Sequence, residues 1–220
     1  MNSNNIGSDK IISWDIGTKH LCYCLMDEND IYGWEIINLT KEKNKETSIT
    51  HKKTTKRKKG KNKQTPSDIL NLHKIMCMEL DSRSEILDGV HTVIIENQMM
   101  TNQKMKTVAA ALYQYYVIRG MVDNQVLKNI VYIRPTEKMK VYDGEPMVCP
   151  RKTKQNKWLA IEHCRYILNQ RHKKFTGGCD NSRSHQKWID LYTNSKKKDD
   201  LADSYLSGLA YLNKVGNQSM

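Results

Sequence analysis

Apolar and polar positions follow three different rhythms along this chain, and each rhythm predicts a different element. The run 10–16 is apolar apart from Lys10, Ser13 and one acid, Asp15; over 20–27, Leu21, Tyr23 and Leu25 alternate with Cys22, Cys24 and Met26; over 31–39, Trp34, Ile36 and Ile37 supply the apolar positions. Short runs of this kind read as strands. Gly17-Thr18-Lys19 and Asp27-Glu28-Asn29-Asp30 between them are short enough for hairpin turns, so the three strands form an antiparallel meander. From Pro66 the period lengthens: Ile69, Leu70, Leu72, His73, Ile75, Met76 and Leu80 trace one broad face of a helix to about Ser84. Val90 to Ile95 is a buried strand, and Thr101 to Gly120 a helix with Val108, Ala109, Leu112, Tyr115 and Tyr116, where Gly120 stands as a stop signal. Asn129 to Ile133 is a fifth strand closed by Pro135, 152–171 and 200–212 are helices, and 175–183, with Gly177 and Gly178, is loop. Antiparallel strands extended by parallel ones through crossover helices predict a mixed five-stranded sheet flanked by helices, an α/β domain with ribonuclease H-like element order.

One segment fits none of these rhythms. Residues 41–64 hold eleven Lys or Arg against Glu42 and Glu46, and almost nothing apolar. Such a segment cannot bury enough surface to order itself. It reads either as a solvated loop or as an arm lying on phosphates. The 220 residues therefore divide into one domain over 10–214, a basic insertion at 41–64 and an N-terminal tail at 1–9.

Charge narrows the partners. Lys and Arg number 36 against 24 Asp and Glu, a formal charge of +12, which points to a polyanion. No stretch approaches the ~20 apolar residues needed to cross a bilayer, and the first residues lack the apolar centre of a secretory signal. The expectation is a soluble intracellular protein. Cys22, Cys24, Cys77, Cys149, Cys164 and Cys179 form no CxxC pair, in keeping with reduced thiols. Cys149, His163, Cys164, Cys179 and His185 match no standard zinc spacing, and none of the seven histidines is a candidate for catalysis.

Against this basic background a few acids stand where acids are costly. Asp15 sits among Ile12, Trp14 and Ile16, Glu96 closes Val93-Ile94-Ile95, and Asp200 and Asp203 share one face of a helix's first turn. A lone buried carboxylate neutralises unless a cation accompanies it. Converging carboxylates in a basic chain fit a site for Mg²⁺, which prefers hard oxygen ligands, and Mn²⁺ is a possible substitute. Phosphodiester hydrolysis is the chemistry such sites serve.

Three stretches carry a resemblance to a known family. Asp15-Ile16-Gly17-Thr18-Lys19, then Ile95-Glu96-Asn97-Gln98 followed by a helix ending in Arg119-Gly120, then Asp199-Asp200-Leu201-Ala202-Asp203-Ser204 resemble the poxvirus Holliday junction resolvases, relatives of the bacterial RuvC-type enzymes. The resemblance runs from about 10 to about 212, interrupted by the basic insertion. It implies four metal-binding acids at Asp15, Glu96, Asp200 and Asp203, with Asp199 as the alternative to Asp200, and a catalytic lysine after the fifth strand, Lys138 ahead of Lys140. It also implies a homodimer that nicks opposite strands of four-way DNA junctions, resolving concatemeric viral DNA and recombination intermediates at replication sites in the host cytoplasm. Two rivals are a ribonuclease H or exonuclease of the same fold, and a non-catalytic basic nucleic-acid-binding protein. Tyr113, Tyr115 and Tyr116 are candidates either for stacking on unpaired bases or for core and dimer packing.

Overall fold

A computed structural model of the chain describes residues 9–40, 66–98, 102–150, 154–175 and 181–218. The basic insertion and most of the N-terminal tail lie outside them. Five strands, β1 (Lys10–Asp15), β2 (His20–Met26), β3 (Ile31–Asn38), β4 (Val90–Glu96) and β5 (Asn129–Ile133), form one sheet in the order β3-β2-β1-β4-β5. β1 to β3 are antiparallel neighbours, whereas β4 runs parallel to β1, and β5 parallel to β4. The fold is thus the mixed, helix-flanked sheet of ribonuclease H-like proteins.

Side-chain alternation divides the core into two layers. Ile12, Trp14, Tyr23, Val93 and Ile95 face α1 (Pro66–Asp81) and α2 (Gln103–Tyr116), where Met76, Leu112 and Tyr116 complete the layer. Ile11, Cys22, Cys24 and Ile94 face α3 (Gln155–Phe175), α4 (Asn181–Asn194) and α5 (Lys198–Gly216), which contribute Cys164, Tyr192 and Tyr205. Helix α5 lies close on the sheet because Gly208 leaves room: a Cβ there would come within 2.7 Å of Met26 Sδ and 3.2 Å of Ser13 Cβ. The Trp34 indole fixes the other end of that contact, donating to Ser204 Oγ at 3.1 Å and the Leu201 carbonyl at 3.2 Å.

The structure departs from the sequence reading in two places, and it decides between two readings in a third. Gly120 does not stop its helix: α2 continues as widened π-helical turns over Val117–Asp123, and Gly120 is buried against Leu127. Helix α4 starts at Asn181, inside the stretch read as loop, and was not foreseen at all; its apolar face is Trp188 and Tyr192 one turn apart, with His185 a turn earlier. Tyr115 and Tyr116 cannot stack on bases, since both are buried. Tyr116 accepts from Trp14 Nε1 at 3.0 Å, and Tyr115 donates to Asp81 at 2.9 Å.

Candidate active site

Strand parity decides where the acids point. Asp15 follows Trp14 and so belongs with Ser13 on the α5 side of the sheet, and Glu96 follows Ile95 onto the same side. Because β1 and β4 are parallel and adjacent, with Trp14 opposite Ile95, both carboxylates emerge together at the carboxyl ends of neighbouring strands. The N-terminal part of α5 then brings Asp203, in the turn after Asp199 and Asp200, over them. Carboxylate oxygens of Asp15, Glu96 and Asp203 lie within 4.8 Å of one another, which among the described residues is the one metal-capable group of three or more. Asp200 is not within that ring. It lines the same cleft beside it, 3.8 Å from Lys197 Nζ.

The alternatives left open by the sequence stand in different surroundings. Asp199 pairs with Lys157 at 2.7 Å and is not among the residues lining the cleft. Lys140 is exposed and paired with Glu137 at 2.8 Å. Lys138, two residues earlier on a short 3₁₀ turn (Glu137–Val141), reaches inward instead. Its Nζ stands 3.2 Å from Glu96 Oε1 and 3.0 Å from Asp203 Oδ2, with only 12% of its side chain exposed.

Burial dominates the electrostatics here. It pushes the Asp15 carboxyl well above its ordinary value of 3.8, and the charges of Asp203 and Glu96 push it further. Asp203 is also raised by burial, although Lys138 opposes the shift, and Asp200 is raised by burial and by Asp199. For Lys138, burial opposes the charged form, but Asp203 and Glu96 outweigh it and hold the ammonium more firmly than usual. Asp199 goes the other way: burial would raise it, yet the Lys157 hydrogen bond holds it below the usual range.

Asp15, Glu96, Asp200 and Asp203 line a cleft of about 570 Å³ with Thr18, Lys19, His20, Asn97, Gln98 and Lys197, and Lys138 stands behind it against Glu96 and Asp203. Gly17 shapes its near rim, where the turn into β2 brings the His20 carbonyl so close that a Cβ would collide with it. His20 was set aside from sequence because no second histidine stands at ligand spacing. Its place three residues after Gly17 in a tight hairpin was the available signal. The cleft therefore combines a ring of hard oxygen donors, a buried ammonium and a rim of lysines, a set suited to a divalent cation and a phosphate.

No protein-family model matches the chain. It is similar to an uncharacterized protein of Acanthamoeba polyphaga mimivirus, 31% identical over 161 residues, covering 68% of this chain and 35% of that protein. The chain thus spans about a third of the length of the curated relative it matches. Among solved structures it is similar to the yeast mitochondrial Holliday junction resolvase Ydc2, with TM-score 0.49 and 18% identity over 93% of this chain and 79% of that one. It is likewise similar to RuvC of Thermus thermophilus, with TM-score 0.47 and 10% identity over 94% of this chain and 96% of that one.

Proposed function

We propose that this protein is a metal-dependent, structure-selective DNA endonuclease that resolves four-way junctions by paired nicks, serving recombination and the resolution of concatemeric viral DNA. The observation that carries the reading is the ring of Asp15, Glu96 and Asp203 in an open cleft lined also by lysines, with Lys138 bound to two members of the ring. Carboxylates beside a phosphate repel it unless a cation intervenes, so a purely DNA-binding protein gains nothing from them. The donor set fits Mg²⁺, with Mn²⁺ as substitute: all ligands are carboxylates, and Asp15, raised by burial and by its acidic neighbours, lacks a full share of positive charge. Asp15, Glu96 and Asp203 would hold the ion, with Asp200 at the cleft wall as the fourth ligand. A divalent ion bound there supplies Lewis acidity at the scissile phosphate and activates water for attack.

The chain's own residues do the rest. Lys19, Lys157 and Lys197 on the rim attract the phosphate backbone, and Lys138 offers an ammonium to the charge that develops on the scissile phosphate. The reading includes a two-fold homodimer, since one chain carries one acid ring and resolution takes two related nicks. An exposed apolar face supports it: among the described residues, Tyr113, Ile118, Val122, Val126 and Tyr132 stand exposed between 113 and 132, with the Tyr113 and Tyr132 rings stacked at 5.9 Å. Arg119 within that face is paired to Asp81 and Asp123, so a second copy meets little of the repulsion that the +12 chain presents elsewhere.

The test is to offer purified protein and Mg²⁺ a four-way junction, a linear duplex and an RNA–DNA hybrid side by side. Paired nicks confined to the junction are expected. Cleavage of the hybrid, or exonucleolytic shortening of the duplex, would reassign the substrate, and no cleavage of any of them would leave a binding protein.

A further inference from the structure

We infer that Lys138 is the resident counter-ion of the acid ring, that a divalent cation must displace its ammonium from Glu96 and Asp203, and that DNA phosphate, by receiving the displaced ammonium, makes metal and DNA bind cooperatively. This rests on the metal-site reading above.

Two of the three ring carboxylates are already engaged by Lys138 Nζ, at 3.2 and 3.0 Å. The side chains involved are largely withdrawn from water, with 12% of Lys138, 11% of Glu96 and 24% of Asp203 exposed. Removing one partner from such a pair leaves an uncompensated charge, so the acids require a cation at all times. The oxygens that a divalent ion would take are the ones the ammonium occupies, and two cations sharing a ring 4.8 Å across repel strongly. Metal entry is therefore an exchange of one cation for another.

The turn that carries Lys138 is built for that exchange. Met139 and Val141 pack into the core layer beneath α5, so the backbone of Glu137–Val141 is anchored. Only the flexible lysine stem has to move. Lys140, bound to Glu137 on the outside of the same turn, cannot take its place. A displaced Lys138 needs a new anion in the cleft, and a phosphodiester provides one. Whatever DNA contributes to metal affinity by this route, metal contributes equally to DNA affinity.

Mn²⁺ binding, followed by electron paramagnetic resonance, tests the exchange directly. It is measured on wild type, Lys138→Met and Lys138→Arg, each with and without a four-way junction carrying phosphorothioate linkages at its centre. Without DNA, Lys138→Met should bind Mn²⁺ roughly fivefold or more tightly than wild type, within the usual range of coupling between sites, and Lys138→Arg should stay close to wild type. The junction should tighten Mn²⁺ binding to wild type more than to Lys138→Met, which keeps only the direct contact between phosphate and metal. Equal or weaker Mn²⁺ binding by Lys138→Met, or equal tightening of both proteins by DNA, would overturn the exchange while leaving the metal site standing. If wild type binds no Mn²⁺ that Asp15→Asn abolishes, the metal-site reading itself fails. Should Lys138→Met unfold without metal, refolding on addition of Mn²⁺ reports the same substitution of cations, and failure to refold counts against it.

Discussion

Among the described residues, two of the places where acids gather around a single cation are built to opposite ends. On the α1 side of the sheet, Arg83 grips Glu35 through two nitrogens at 3.1 and 3.2 Å and Glu79 at 2.7 Å. The acids there are 44% and 31% exposed, so water shares the load, and the guanidinium's fork of donors meets both carboxylates. At the carboxyl ends of β1 and β4, one ammonium serves Glu96 and Asp203 while Asp15 and Asp200 crowd the same space with less water. The first cluster is satisfied as it stands. The second is short of positive charge, and a buried shortage of charge marks a place where a cation is still to come.

The largest effect expected from that contrast is on catalysis. Asp15→Asn, Glu96→Gln and Asp203→Asn should each lower junction cleavage by at least about 10²-fold, the scale of losing one electrostatic stabiliser, with junction binding measured in EDTA unchanged or tighter as negative charge leaves the cleft. Glu35→Gln should leave both within a few-fold. Single-turnover cleavage and filter binding on the four variants decide it; binding lost in step with cleavage, in a protein that melts normally, would mean that the acids contact something other than metal.

Stability in the absence of metal separates the clusters next. A carboxyl whose affinity for protons is raised by folding stabilises fully below its unfolded value, near 3.8 for Asp15, and that contribution fades as pH rises through the higher folded value. Metal-free Asp15→Asn should therefore melt above wild type at neutral pH, by a few degrees if the gain is about 1 kcal/mol. The advantage should vanish below pH 3.8 and shrink when Mg²⁺ stabilises wild type alone. Melting curves between pH 3 and 8, with EDTA or Mg²⁺, would show whether the advantage has this pH sign.

Arg83→Ala should do the opposite, costing about 1 kcal/mol at neutral pH because its partly exposed pairs are screened by water, with no dependence on Mg²⁺. A melting temperature restored by Mg²⁺ would show that the two clusters communicate.

The smallest effect belongs to the one-to-one pair at the cleft rim. Lys157 is 62% exposed and bound to Asp199 at 2.7 Å. Lys157→Met should weaken junction binding a few-fold without altering the single-turnover rate, and should flatten the dependence of log K on log salt by about 0.9 if one phosphate contact is lost. A changed rate would move Lys157 from the rim into the chemistry.

Much of this was legible along the chain because strands declare themselves locally. Two-residue alternation and short turns predict β1 to β3, and an acid at the end of an apolar run is conspicuous without coordinates, as at Asp15 and Glu96. Helix α4 was hidden because its few apolar residues, Trp188, Ile189, Leu191 and Tyr192, stand in a polar segment just after Gly177-Gly178. Tyr115 and Tyr116 admit both stacking on bases and core packing when read along the chain, because an aromatic's place depends on what packs over it, here α1 and Trp14.

The sequence by itself determined which residue types were available and which side of each strand they share, since a two-residue period is a property of the backbone. It could not choose between Asp199 and Asp200 or between Lys138 and Lys140, because these pairs differ only in which way a helical turn faces. That direction is set at a distance, by Trp34 and Gly208 holding α5 against the sheet and by Met139 and Val141 seating the turn after β5. The shortage of positive charge in the acid ring is likewise tertiary: it arises only where β1, β4 and α5 bring carboxylates within 4.8 Å and exclude the water that would otherwise screen them.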